Sequence, residues 1–214
     1  MLPEHLSVDT ESYYTWTYMG IEDYISGPNR YLQDAIDDLK SGKERRNCNN
    51  AVRNAKSALH MKVDFLCRAF SGDDFFRKSL RNFPRKMDFL ESIGIVRPRI
   101  IDKINNLRNK IEHEYQDATL EEAEDFIDIV LLFVEATKYL NSRFPSDIEF
   151  QPPVSFCKGY LRNIECKFDV GELVFNYTEE KGYAFNHLNM NSYTVKIREE
   201  SYFKWLKYII ENNE

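Results

Sequence analysis

Residues 97–115 read RPRIIDKINNLRNKIEHEY. Ile100, Ile104, Leu107, Ile111 and Tyr115 recur at offsets of 0, 4, 7, 11 and 15. That spacing predicts a helix that buries one face and leaves the rest to solvent. The last nine residues, LRNKIEHEY, place Arg108, Asn109, Lys110, His113 and Tyr115 on the same segment. On either side the pattern stays helical. Residues 47–70 carry Val52, Ala55, Ala58, Leu59, Val63, Leu66 and Phe70 at spacings of three and four, up to a break at Ser71-Gly72-Asp73. A shorter helix over 75–94 is broken by Pro84 and capped by Gly94. Thr119 with Glu122 makes a capping box that opens a helix running to about Arg143. Before these, Gly27-Pro28 punctuates the chain, and Tyr31, Ala35, Ile36 and Leu39 form the stripe of a short helix.

Around this helical stretch the pattern changes. Residues 1–27 are aromatic without clean periodicity and suggest an irregular or short helical arm. Residues 145–153 hold three prolines and no helical pattern, which marks a boundary. Beyond it the period is two. Residues 172–177 and 183–185 flank a turn, a hairpin signal, and Tyr193, Val195 and Ile197 alternate as a further strand. Tyr202, Phe203, Leu206, Ile209 and Ile210 then form a closing amphipathic helix. The expected architecture is mainly α: an N-terminal arm (1–27), a four- to five-helix bundle (28–144) and a small C-terminal α+β appendage (152–214) docked on it.

Arg and His close together suit RNA cleavage without a metal. The 2′-hydroxyl is the internal nucleophile. A base removes its proton, a cation stabilises the charge at phosphorus, and an acid protonates the leaving 5′-oxygen. Arg108 can hold a phosphate bidentately, and His113 titrates near neutrality. Asn109 can orient the His or the phosphate, and Tyr115 offers a hydroxyl. At ~100° per residue Arg108 and His113 diverge by roughly 140° on a regular helix. Either the helix unwinds after Glu112, or two copies of the segment meet across a two-fold axis.

The run LRNKIEHEY, late in a small helical bundle, resembles the motif of the HEPN superfamily, and is particularly similar to its Arg-x4-His-x-Tyr toxin variant. The resemblance implies a four- to five-helix bundle, usually dimeric, with the motif lining a cleft at the dimer interface. It implies a metal-independent endoribonuclease of a toxin–antitoxin, phage-defence or RNA-processing system, or a non-catalytic RNA- or nucleotide-binding module or interaction subunit. Arg108 and His113 would be catalytic, with Asn109 and Tyr115 supporting. In some toxin systems that Tyr is modified by a nucleotidyltransferase antitoxin.

Charge and composition agree with an RNA-binding reading. The net charge of −6 conceals a basic block, with 17 Lys+Arg against 7 Asp+Glu over residues 43–110. Residues 111–151 carry 11 acids and 2 bases. Such a local field attracts phosphates, and Arg53, Lys56, Lys103 and Lys110 are the candidate phosphate contacts; tRNA or a single strand is the expected partner. The alternative is that these charges are solvated helix faces. With 43% apolar residues a packed core is expected. The N-terminus has no basic or apolar leader pattern, and the longest apolar run, 129–134, is far short of a membrane span. That run is apolar on every side of its helix, so it is either buried between neighbours or part of an oligomer interface. Cys48, Cys67, Cys157 and Cys166 form no C-x-x-C pair and no zinc spacing with His, so free thiols in a reducing cytoplasm are expected. No Gly-rich phosphate loop or HExxH is present, and no cofactor is expected. His60 reads as a partly buried residue on a helix face, and Tyr160, Phe175, Tyr177, Tyr183 and Phe185 as core aromatics of a small sheet.

Overall fold

A computed structural model describes residues 3–6, 10–19, 22–95, 99, 103, 117–156, 159–179 and 190–213. Among these, α1 (Glu22–Ser41), α2 (Arg45–Ser79), α3 (Phe83–Ser92) and α4 (Leu120–Ala136) make a helical layer. A five-stranded antiparallel sheet is built from β1 (Glu11–Thr17), β2 (Phe144–Phe156), β3 (Gly159–Lys167), β4 (Glu172–Glu179) and β5 (Met190–Lys196), in that spatial order. Helix α5 (Glu200–Glu211) covers the inner face of the sheet. No described helix is long and apolar enough to cross a membrane.

The sheet corrects the mainly-α expectation. The protein is an α+β structure in which the sheet is a full layer sharing one hydrophobic cluster with the helices. Two readings led away from it. The aromatic N-terminal segment contains strand β1, paired with β2 from Glu11↔Gln151 to Thr17↔Phe144. The proline-rich segment is the interior of β2. Its prolines sit where the ladder is irregular, so they cost little. Pro145 faces Trp16 beside a bulge and precedes the first β3 pair at Asp147, while Pro152 and Pro153 fall in the register shift between Glu149 and Val154. The alternation of Tyr193, Val195 and Ile197 marks β5, which ends at Lys196 with Ile197 in the turn beyond it, and which pairs with β4 from Glu172↔Lys196 to Thr178↔Met190. The expected hairpin segment 183–185 lies outside the described residues.

The helical layer follows the predicted stripe closely. Ala51, Ala55 and Ala58 on α2 have no solvent exposure, and small side chains there let α1 approach with Leu32 and Ala35. Gly27-Pro28 does not start α1, which begins at Glu22 and carries Pro28 inside it. Pro84 opens α3 rather than breaking a helix: Asn82 caps it by accepting from Arg85 N at 3.0 Å, and Pro84 sits in the first turn. Gly94 follows α3 at φ 82°, the left-handed position its sequence signal implied. The Thr119–Glu122 capping box is present in both directions. Helix α4 stops at Ala136 instead of near Arg143; the Thr137 hydroxyl donates to Phe133 O at 2.8 Å, and a 3-10 turn, Lys138–Asn141, follows.

Ser71-Gly72 interrupts α2 without ending it. Gly72 has φ 69° and ψ 161°, and the helix resumes to Ser79. The kink takes Phe70 O out of the regular ladder, and the buried Tyr202 hydroxyl from α5 donates to it at 3.0 Å. Phe70, Phe144 and Phe168 then close a triangle with centroid distances of 4.9, 5.3 and 5.3 Å. This triangle joins α2, β2 and the β3–β4 turn. Tyr202→Phe should cost about 1–2 kcal/mol, because it leaves a buried carbonyl unpaired. Tyr14→Phe is the contrasting case. The Tyr14 hydroxyl is buried with no hydrogen-bond partner among the described residues, so its removal should be neutral or slightly stabilising. Denaturant unfolding of both variants checks the pair, and a larger loss for Tyr14→Phe would contradict the assignment.

Candidate functional site

The segment 97–115, expected to be helical, and with it Arg108, Asn109, Lys110, His113 and Tyr115, lies outside the described residues, apart from Arg99 and Lys103, which are helical and exposed. The described chain resumes at Asp117, two residues after Tyr115, and there it is clamped. Asn49 of α2 donates from Nδ2 to Asp117 Oδ1 at 2.8 Å and accepts at Oδ1 from Ala118 N at 2.9 Å. Arg45 Nη1 bonds Asp117 Oδ2 at 3.1 Å. Asparagine suits this position because one amide both donates and accepts. The ion pair is solvent-exposed and contributes little by itself; the amide bridge sets the geometry.

The clamp has neighbours of the predicted kind. Arg45, Asn49, Arg53 and Lys56 recur at offsets of 0, 4, 8 and 11, and so share one face of α2. Arg45, Arg46 and Arg53 are exposed. Farther along, three of the basic side chains are paired with acids: Arg77 with Asp73 at 3.3 Å, Lys78 with Asp74 at 2.7 Å and Lys86 with Asp64 at 2.6 Å.

Helix α4 presents the opposite sign. Glu121, Glu124, Asp125, Asp128 and Glu135 are exposed along one stripe, with Lys138 pairing Glu135 at 3.2 Å. A polyanion is repelled by such a stripe. The apolar run on α4 is divided. Val130, Phe133 and Val134 are buried, whereas Leu131 and Leu132 are 38% and 69% exposed.

Lys62 is a buried charge that no sequence signal singled out, because a lysine on a helix gives no hint of its burial. It is 3% exposed in α2, with Nζ 3.3 Å from Asn141 Oδ1 and 5.8 Å from the Phe65 ring centroid. Burial lowers its pKa to about 8, opposed by the attraction of Glu135. The unfolded chain therefore holds the proton more tightly than the folded one. Between about pH 8 and 10.5 the unfolded state carries more protons, so this group makes stability rise with pH across that window, and its cost is fully present below it. At about 1.4 kcal/mol per tenfold in affinity, the cost near pH 7 is about 3 kcal/mol. Lys62→Met should raise stability by about 1–3 kcal/mol at pH 7, with the gain over wild type shrinking toward pH 10. Paired denaturation curves at both pH values test this, and a gain that is absent or independent of pH would contradict it.

His60 stacks on Phe83 with centroids 4.6 Å apart, in keeping with a helix-face residue. Cys48, Cys67 and Cys166 are free thiols. Burial pushes Cys67 and Cys166 up in pKa, so both stay protonated and make poor nucleophiles. Phe175 is a core residue, Tyr177 is half-buried and Tyr160 is exposed. No group of metal-binding side chains forms among the described residues.

An open cleft of about 450 Å³ is lined by Gly94, Tyr139, Arg143, Ile210, Glu211 and Asn213. At its floor Asn213 accepts from Trp16 Nε1 at 2.6 Å and donates to Arg143 O at 2.8 Å, while the Arg143 guanidinium lies 5.4 Å from the Trp16 ring centroid. Its lining residues come from three separate stretches of chain and follow no motif, so only the fold brings them together. No protein-family model, curated protein or solved structure matches this chain.

Proposed function

We propose that the protein is a metal-independent endoribonuclease of the HEPN type, acting through Arg108 and His113 with Asn109 and Tyr115 in support. The observation that carries this reading is the run LRNKIEHEY, whose exit at Asp117-Ala118 is tied to the basic face of α2. In this scheme Arg53 and Lys56, with Lys103 and Lys110, attract the phosphodiester backbone. The acidic α4 face turns it away from the other side.

His113 takes the proton of the 2′-hydroxyl. The 2′-oxygen bonds to phosphorus and the P–O5′ bond breaks, leaving a 2′,3′-cyclic phosphate and a 5′-hydroxyl. Arg108 holds the phosphoryl oxygens as their charge grows, and a proton returns to the 5′-oxygen from His113 or Tyr115. The setting is a cytoplasmic toxin–antitoxin or phage-defence system, with a homodimer as the working unit and a nucleotidyltransferase-type antitoxin acting on Tyr115 as regulator.

The test is cleavage of labelled total tRNA and a generic single strand in EDTA by wild type, Arg108→Ala and His113→Ala. Cyclic-phosphate ends from wild type, reduced at least about 100-fold in both variants, are the expected result. RNA bound but not cut, with a steep salt dependence unaltered in His113→Ala, would replace the nuclease by a binding module.

A further inference from the structure

The outer edge of β1 has no strand partner among the described residues, since β1 ends the sheet and pairs only with β2. Such an edge presents a row of unmatched N–H and C=O groups, and proteins usually guard it with lysine or proline. The sequence of β1, ESYYTWT, has neither, and its single charge is Glu11 at one end. Tyr13 and Trp16 are 50% and 43% exposed along it.

The strand is self-complementary under a two-fold axis. Ser146 Oγ donates to Thr15 O at 3.0 Å, so the Thr15 carbonyl faces β2. By the alternation of a strand, the backbone groups of Tyr14 face outward. Tyr14 is also the middle of the seven residues. A second copy laid antiparallel with Tyr14 opposite Tyr14 places Tyr13 opposite Thr15 and Glu11 opposite Thr17. Paired residues then lie on the same face of the sheet, and the outer face gains aromatic–β-branched pairs at Tyr13 and Thr15. The two Glu11 carboxylates sit at opposite ends, about 20 Å apart, so no like charges meet.

We propose that β1 is a homodimerisation edge, pairing with β1 of a second copy about a two-fold axis through Tyr14 and joining two five-stranded sheets into one. This surface is separate from residues 107–115 and stands whether or not they cleave RNA.

Sedimentation equilibrium from 10 to 200 µM tests it with two double variants at exposed positions. Wild type should sediment at twice the chain mass at the upper end of that range, or at four times where residues 107–115 also pair two copies. Y13K/T15K sets lysines opposite each other in both symmetric pairs and should weaken the dimer at least tenfold. Y13K/T15E sets lysine opposite glutamate in the same pairs and should restore it relative to Y13K/T15K. Thermal unfolding of all three controls for folding. A monomer at 200 µM, or an assembly whose mass Y13K/T15K leaves unchanged, would overturn the proposal.

Discussion

Gly72→Ala is expected to destabilise the protein by about 3–5 kcal/mol, a large part of the 5–15 kcal/mol typical of a domain. Two costs combine. A backbone at φ 69° and ψ 161° is one that side chains with a Cβ rarely adopt. A Cβ there would also lie 2.3 Å from Asp169 O and 2.9 Å from Asp169 C. Both colliding partners are main chain, one in the α2 kink and one in the β3–β4 turn, so no rotamer change relieves the contact. The alternatives are to straighten α2 or to push the turn away, and either opens the Phe70–Phe144–Phe168 triangle. Gly42→Ala is the control. Its Cβ would meet the terminal oxygen of the exposed Glu44 side chain, which can swing aside, so the loss should stay below about 1 kcal/mol. Urea denaturation of both variants distinguishes them, and a Gly72→Ala loss under about 1 kcal/mol would show that the kink is not what joins helix to sheet.

Trp205→Ala should cost a similar amount, about 3–5 kcal/mol. The Trp205 ring has no solvent exposure, and it meets Phe175 edge-on at 5.2 Å, Phe150 at 6.3 Å and Tyr208 at 5.9 Å. It is the plug between α5 and the inner face of the sheet, and alanine would leave a cavity that strands fixed on both sides cannot collapse. Trp16, the second of two tryptophans, is 43% exposed, and Trp16→Ala should cost about 1 kcal/mol or less despite its bond to Asn213. Fluorescence separates the two. Emission in Trp16→Ala comes from Trp205 and should be blue-shifted until the protein unfolds. Red-shifted emission from folded Trp16→Ala would contradict the packing of α5.

What reached the sequence surface was local. The stripe of 47–70 predicted most of α2, because a helix buries residues at three and four regardless of what covers them. The α4 capping box was legible because both of its hydrogen bonds join residues three apart. The period-two pattern of β5 and the apolar stripe of α5 were visible for the same reason. At the candidate site, the motif and the α2 positions Arg53 and Lys56 were likewise a matter of residue type and spacing. The tie between Asn49 and Asp117-Ala118 was not, since it joins segments far apart in the chain.

The sequence by itself determined most of α2, the α4 capping box, the strand patterns of β4 and β5 and the stripe of α5, since each shows as a spacing within a few residues. Tertiary structure alone decided that β1 and the proline-bearing β2 are strands, since each acquires its ladder from a segment remote in the chain. It also decided that α2 bends at Gly72 instead of stopping there. A glycine permits both outcomes, and the approach of the β3–β4 turn with the Tyr202 hydroxyl on Phe70 O selects the bend. Lys62 follows the same logic: its charge is written in the sequence, and its burial is set by the elements that close over it.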